Sequence, residues 1–275
     1  MPAVHSRAFS GEVDTGSPKE NATNQVSSET LRLLRHRVAA IAANEARTEA
    51  LPFGLASLDH ALGGGLAHGA LHEIAPSAPA HVGAAAGFAL ALAARSIAGG
   101  KQVLWIQPDF ARGEAGHPYG PGLARLGLPL HRMILLQVPH ARDAPWAMEE
   151  ALKCRALAAA IGEFADDAPD LTMTRRLSLA AAGGGALGLL LRHRSSPLPS
   201  TAMTRWEVAS AAGEHDRFGG LARPALMLSL VRNRRGPNGR WLVSWDHHER
   251  AFVSAAPSRD LAQAAHDGSH LVRAG

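Results

Sequence analysis

The sequence predicts an α/β fold in which helices flank a mainly parallel central sheet. Short β-rich runs alternate with helical segments between Leu71 and Leu191, which is typical of parallel sheets with helical crossovers. Two further β-rich runs, residues 225–232 and 240–246, are joined by a loop rich in Gly, Pro and Asn. This second pattern predicts an antiparallel β-hairpin at one edge of the sheet.

Composition bounds the class of protein. The chain has 275 residues, a formal net charge of +4 and one cysteine, so an intrachain disulfide is excluded. The helix predicted from Val82 is uncharged only as far as Ala94, which is too short to span a bilayer. The amino terminus has no apolar signal-peptide core. We therefore expect a cytoplasmic protein that does not act at a membrane.

The chain divides into four predicted parts. Residues 1–26 are polar and should be disordered, and residues 27–50 should contain a helix. Residues 51–256 should form the α/β domain with its hairpin, and residues 257–275 should be a flexible tail. The helix carries Leu31, Leu34, Val38 and Ile41 on one face, which pack either on the protein's own domain or on a neighbouring protein.

The chain is organised around residues 51–83. A short apolar strand at 71–74, a small-residue loop and a buried helix follow one another as in a phosphate-binding P-loop. A P-loop needs glycines, a lysine and a Ser or Thr, whereas this loop offers Ala75, Pro76, Pro79 and His81. We therefore predict a degenerate nucleotide loop, with no cofactor and no catalytic residue.

Several segments carry a resemblance to a known family. Residues 51–54 (LPFG), residues 61–66 (ALGGGL) and Glu73-Ile74 resemble the core of RecA-type recombinases. Residues 119–128 and 174–177 are similar to the ImuA family within that superfamily. The resemblance covers about residues 28–253.

This resemblance implies a RecA-like core and a noncatalytic adaptor in damage-induced, error-prone translesion DNA synthesis. The implied partners are an ImuB-like inactive Y-family polymerase homologue and an error-prone replicative-type polymerase, with RecA and single-stranded DNA as further candidates. Two alternatives remain open: a DNA-dependent ATPase of the recombinase type, and a cell-division inhibitor like SulA.

Two acidic residues occupy positions that are functional in recombinases. Asp109 follows the strand predicted at 102–107, where the resemblance places a water-activating carboxylate; an N-cap or turn role is the alternative. Glu163 lies near the end of the strand predicted at 157–164, where a magnesium-holding Asp would stand. We interpret Glu163 as an inherited position without that chemistry, and we expect no metal site.

Basic residues mark candidate contacts with DNA or a partner. Arg192 and Arg194 stand where recombinases have a DNA-binding loop, although charged strand ends are often simply solvated. A second group at the hairpin tip places basic side chains beside an aromatic one, as single-strand binding requires; the alternative is a solvated turn over packed tryptophans. This group is Arg232, Arg234, Arg235, Arg240 and Trp241.

Two local expectations complete the sequence analysis. The apolar run 133–138 should be a central parallel strand. Cys154 should be a small buried side chain within a helix.

Overall fold

A computed structural model of the chain describes residues 49–97, 99–164, 169–195, 197–215 and 221–255. The predicted amino-terminal helix with Leu31, Leu34, Val38 and Ile41 lies outside the described residues, as does the predicted carboxyl-terminal tail. The side chains of Glu214, His215, Leu221 and Ala222 are likewise not described.

The described residues form eleven strands and six α-helices. The strands are β1 (Ala50–Leu51), β2 (Leu66–Ala67), β3 (Leu71–Pro76), β4 (Gln102–Pro108), β5 (Met133–Val138), β6 (Leu157–Phe164), β7 (Leu187–Arg192), β8 (Thr204–His215), β9 (Leu221–Asn233), β10 (Gly239–Asp246) and β11 (Ala251–Ser254). The helices are α1 (Ala56–Ala61), α2 (Val82–Ser96), α3 (Asp109–Ala115), α4 (Gly120–Leu126), α5 (Ala144–Lys153) and α6 (Leu171–Gly184).

Nine strands form one sheet in the order β11-β10-β9-β8-β3-β7-β6-β4-β5. Neighbouring strands from β8 to β5 run parallel, whereas β8 to β11 pair antiparallel. The predicted α/β class and the carboxyl-terminal hairpin are therefore confirmed, and β11 extends the hairpin by one strand.

The position of β5 differs from the prediction. Residues 133–138 form a parallel strand, but it pairs only with β4 and lies at the edge of the sheet among the described residues. The prediction of a central strand was wrong because a continuous apolar run does not distinguish a central strand from an apolar edge strand.

Helices cover both faces of the sheet. On one face α2 packs over an aromatic cluster in which Phe53, Phe88, Trp206 and Phe252 have ring centroids 5.4–6.2 Å apart. On the other face α5 and α6 pack against a second core that includes Phe164. Small residues dominate α2, which lets this helix pack close to the sheet.

The segment before β3 is held by glycine geometry and an Asp cap. Gly63, Gly64 and Gly65 all have positive φ, and a Cβ on Gly65 would lie 2.5 Å from the carbonyl oxygen of Leu51. The Asp59 carboxylate accepts from the backbone N–H groups of Phe53 (2.6 Å) and Gly54 (3.0 Å). These contacts orient Phe53 into the aromatic cluster.

Two surface features complete the fold. Helix α5 ends at Lys153, which leaves Cys154 exposed at its carboxyl terminus, so the prediction of a buried cysteine was wrong. Within the described ranges, every helix is too short or too polar to cross a membrane.

Candidate functional site

The loop between β3 and α2 occupies the position of a phosphate-binding loop. It continues from Pro76 through a single 3-10 turn, Pro79–His81, into the first turn of α2. His81 attaches this loop to β8, because the hydroxyl and backbone nitrogen of Ser210 lie 2.8 and 3.2 Å from its Nδ1. Since the backbone N–H of Ser210 can only donate, Nδ1 of His81 is the acceptor. The imidazole therefore connects the loop to the sheet.

The backbone N–H groups of this loop are largely absent or already used. Pro76 and Pro79 have none. Ser77 donates to the Val208 carbonyl (2.9 Å), and His81 donates to the Ala78 carbonyl (2.9 Å). Val82 donates to the Pro79 carbonyl. A phosphate cradle needs several such groups converging on one anion, and here the ones just named point elsewhere.

Glu163 lies buried at the carboxyl end of β6, where its side chain is 5% exposed. Its Oε1 accepts from the indole Nε1 of Trp105 at 2.5 Å and from the Gln107 amide at 3.4 Å. Its Oε2 lies 3.5 Å from Nε2 of His193. Protein groups therefore surround both carboxylate oxygens, so the geometry is that of a structural anchor more than of an open metal ligand.

His193 joins Glu163 to helix α3. Its Nδ1 lies 3.5 Å from a carboxylate oxygen of Glu114, and its ring packs edge-on against Phe110 at 5.5 Å. The hydrogen bond with Glu163 raises the pKa of His193 above its usual value, more than burial lowers it. Glu163 thus stabilises the charged form of this imidazole, which holds the start of the β7–β8 loop against α3.

A polar chain continues from Glu163 towards the sheet edge. The Gln107 amide nitrogen donates to the Gly116 carbonyl (3.0 Å), and its oxygen lies 3.0 Å from Nδ1 of His117. Nε2 of His117 in turn lies 3.3 Å from the Gln137 amide on β5. The carboxyl ends of β6, β4 and β5 are therefore linked by side chains in hydrogen-bonding distance of one another.

A cavity of about 580 Å³ adjoins this series of polar side chains. Gly83 and Gly87 of α2 line this cavity, together with Tyr119, Trp105 and Glu163. A Cβ on either glycine would meet nothing within 4 Å. The space is large enough for a small ligand, and it is predominantly apolar around a single buried carboxylate.

Asp109 takes the first position of α3, so it is not the N-cap that the sequence suggested. Pro108 is the N-cap, and Asp109 lies in the first turn, where the helix dipole favours a carboxylate. Its Oδ1 lies 3.6 Å from Arg112, and both side chains are about half exposed. Asp109 therefore has an evident local role in the helix, and a catalytic role stays untested.

Arg192 does not lie on the surface. It is 2% exposed at the end of β7, and its Nη2 lies 3.0 Å from Oε1 of Glu73 on neighbouring β3. The second oxygen of Glu73 is 2.5 Å from Nε of Arg205. This burial contradicts the prediction that Arg192 contacts DNA directly. A guanidinium that is paired inside the sheet cannot reach a phosphate.

The β7–β8 loop is bound to the sheet by several side chains. Arg205 donates to the Leu198 carbonyl (2.6 Å), and the Ser195 hydroxyl donates to Glu207 (2.6 Å). Arg232 donates to the Ser200 carbonyl at 2.6 Å. The loop at the recombinase DNA-binding position is thus held on the sheet, with Arg194 exposed near its start.

The hairpin tip packs on the domain. The Asn233 amide donates to the carbonyls of Ala61 (2.7 Å) and Pro237 (3.1 Å). Gly236 lies so close to Ala61 that a Cβ would overlap its carbonyl oxygen. Position 236 therefore requires glycine, and this contact sets the position of the arginines on the tip.

The predicted arginines differ in exposure. Arg234 and Arg240 are exposed, whereas Arg232 and Arg235 are partly buried. Burial, followed by the charges of Arg234 and Arg205, lowers the pKa of Arg232. The tip therefore concentrates positive charge.

Trp241 faces the domain. Its Nε1 donates to the Ser57 hydroxyl (3.1 Å), and its ring lies 6.3 Å from that of Trp206. Trp245, on the same side of β10, is buried in the core. The structure thus shows the packed-tryptophan alternative, and the rings are not a free stacking platform for bases.

Sequence reasoning missed three residues of these networks. No sequence pattern predicted the contacts of Glu73, Gln107 and His193, because each acquires its role through neighbours distant in the chain. The available signal was a polar residue within or directly after an otherwise apolar predicted strand, because such a residue is buried only when it is paired.

The fold defines the class of protein. A solved structure of the RadB recombinase aligns with 75% of this chain and all of that chain, with a TM-score of 0.51 and 16% identity. This likeness shows the fold alone: the domain is RecA-like, with its parallel sheet, flanking helices and carboxyl-terminal antiparallel strands. The basic groups and the closed loop described above are features of this chain.

Sequence comparison identifies the family. No protein-family model matches the chain. Protein ImuA from two strains of Caulobacter vibrioides is 30% identical over 237 residues, covering 79% of this chain and 94% of the relative. The chain belongs to the ImuA family.

Proposed function

We propose that this protein is a noncatalytic accessory protein of damage-inducible, error-prone translesion DNA synthesis. Membership of the ImuA family and the RecA-like fold support a role in damage-induced mutagenesis. In this proposal the RecA-like domain no longer handles a nucleotide and instead serves as a scaffold that holds other proteins together.

The observation that carries the noncatalytic part is the β3–α2 loop. Pro76 and Pro79 remove two phosphate-binding N–H groups, and Ser77 and His81 donate theirs to the protein. The loop has no lysine to reach the β- and γ-phosphates and no Ser or Thr at the magnesium position after it. Binding of a nucleoside triphosphate by this loop would require the existing hydrogen bonds of Ser77 and His81 to be broken.

The two carboxylates at positions associated with catalysis in recombinases, Glu163 and Asp109, both contact other side chains of the protein. Glu163 contacts Trp105 and His193, and Asp109 lies beside Arg112. Among the residues that the structure describes, no cluster of three or more His, Cys, Asp or Glu side chains suits a metal ion. These contacts support the proposal that neither carboxylate organises magnesium or water for ATP hydrolysis.

The partners in this proposal are proteins first. Family membership supports an ImuB-like inactive Y-family polymerase homologue and an error-prone replicative-type polymerase. RecA and single-stranded DNA are secondary candidates, for which Arg194, Arg234 and Arg240 are the exposed contacts, with Arg232 and Arg235 close by. Trp241 would hold the hairpin tip in place through its contacts with Ser57 and Trp206.

The test combines nucleotide binding with partner capture. A fluorescent ATP analogue with magnesium and single-stranded DNA should give no saturable binding, and ATP hydrolysis should equal that of a buffer control. The tagged full-length chain, purified from DNA-damaged cells, should bring down the polymerase homologue and the error-prone polymerase.

Two results would sink the proposal. Saturable, magnesium-dependent nucleotide binding with DNA-stimulated hydrolysis would identify a recombinase-type ATPase. Capture of a cell-division protein, with filamentous growth on overexpression, would identify a SulA-like inhibitor.

A further inference from the structure

The edge strand β5 exposes apolar side chains on both faces of the sheet. Ile134 is 47% exposed, and Leu135 and Leu136 are each 38% exposed. Successive side chains of a strand alternate between faces, so Leu135 points opposite to Ile134 and Leu136. The outer side of β5 has no strand beside it in the described part of the chain.

Within the described residues, this edge lacks most of the usual protection against pairing with another strand. Soluble proteins guard exposed edges with charged residues, prolines, bulges or a covering element. Residues 133–138 contain neither a charge nor a proline, and the register with β4 runs without a shift from Met133↔Val103 to Val138↔Pro108. The strand is therefore apolar, free of bulges along its pairing with β4, and able to accept a further strand.

Charge at the ends of β5 selects the kind of strand. His131 and Arg132 lie at its amino end, and His140 and Arg142 follow its carboxyl end. Residues 129–142 contain no Asp or Glu, and the next carboxylate, Asp143, is 3.9 Å from Arg142. The electrostatic complement is a segment with acidic residues at its ends.

The same charges disfavour a second copy of this chain. Antiparallel pairing of two β5 strands would place Arg132 of each copy beside His140 and Arg142 of the other. The segment with the apolar stripe predicted near the amino terminus is no better suited, because it carries Arg32, Arg35 and Arg37. In both cases the basic residues beside β5 would meet further basic residues.

We infer that β5 docks an extended apolar segment, flanked by acidic residues, of a partner protein by strand addition. Backbone hydrogen bonds would supply affinity, and contacts with Ile134, Leu135 and Leu136 would set the register. This inference rests on the proposed adaptor function, for which it specifies one docking surface and the chemistry of its occupant.

The first experiment uses two synthetic peptides and the full-length chain. Fluorescence anisotropy compares Glu-Glu-Val-Thr-Val-Thr-Val-Glu-Glu with a twin in which Lys replaces each Glu. The Glu peptide should bind at least about tenfold more tightly at low salt, and 0.5 M NaCl, at roughly 4 Å Debye length, should reduce the difference. Hydrogen exchange should show new protection of the amides of residues 133–138.

The matched variants are Leu135→Asp on β5 and Leu179→Asp on α6, where Leu179 is 67% exposed. Leu135→Asp should weaken the Glu peptide at least about tenfold, because a like charge and a lost apolar contact act together. Leu179→Asp should leave binding unchanged. Circular dichroism confirms that both variants are folded.

Distinct outcomes overturn the inference or the proposed function. Equal binding of the two peptides, protection elsewhere, or a wild-type dimer that Leu135→Asp dissociates would overturn the inference. If the purified polymerase homologue binds wild type and Leu135→Asp equally, the adaptor function stands and the docking surface is wrong. If it binds neither while the peptide pattern holds, the partner assignment fails and the strand inference stands.

Discussion

Replacing Glu73 with Gln should destabilise the domain strongly. Glu73 is fully buried on β3 and pairs with Arg192, 2% exposed, and Arg205. Nε and Nη1 of Arg192 already have no hydrogen-bond partner among the described residues. Removing one partner of a buried ion pair leaves an uncompensated charge and costs about 3–5 kcal/mol. For a domain of this size that lowers Tm by roughly 6–20 °C.

The assay is urea unfolding followed by circular dichroism, with Glu207→Gln as the control. Glu207 on β8 accepts from the hydroxyl of Ser195, an exposed residue of the β7–β8 loop, so its neutral replacement should cost below about 1 kcal/mol. The double variant Glu73→Leu with Arg192→Leu should recover most of the loss, because apolar residues replace a buried ion pair at little net cost. A Glu73→Gln variant within about 1 kcal/mol of wild type would refute the reasoning.

Three further predictions concern packing and pH. Gly236→Ala should cost about 1–3 kcal/mol in urea unfolding, since its Cβ would overlap the Ala61 carbonyl oxygen; a tip that tolerates Ala would contradict the contact. Burial lowers the pKa of His72 to about 4, so its contribution is complete above pH ~6.5 and falls by roughly 3 kcal/mol as pH drops towards 4. His72→Gln should flatten that part of the stability profile; an unchanged slope would contradict it. The raised pKa of His193 has the opposite sign: its stabilising pair with Glu163 is fully present below pH ~6.5 and lost as pH rises through the higher folded pKa, so His193→Gln should cost most at acidic pH and a pH-independent cost would count against the pair.

Sequence patterns predicted the order of the helices and strands along the chain better than they predicted which elements are neighbours in the folded domain. The β3–loop–α2 layout and the hairpin follow from local glycine, proline and apolar patterns, and the structure has both. The edge position of β5 depends on strand order, which no local pattern specifies. Arg192 was predicted to lie in the loop after β7, but it is the last residue of that strand, and its burial depends on Glu73, more than a hundred residues earlier in the chain.

The nucleotide loop and the polar side chains around Glu163 differ in how far the sequence could predict them. The prediction of a degenerate nucleotide loop could be made from sequence because phosphate binding requires particular residues at fixed spacing, and it stays a prediction until nucleotide binding is measured. The polar chain from Glu163 through Gln107 and His117 uses no fixed spacing. Its members meet only because parallel strands end at a common edge of the sheet.

The contacts at the carboxyl edge of the sheet support the proposal that this RecA-like domain acts without nucleotide chemistry. In such sheets ligands bind beyond the carboxyl ends of the strands, where unpaired polar groups would otherwise need a ligand. Here Glu163 is held by Trp105 and His193, and His81 closes the loop against Ser210. Because these side chains already contact one another, the proposed function does not require partner exchange at the inferred β5 surface to be coupled to a nucleotide cycle.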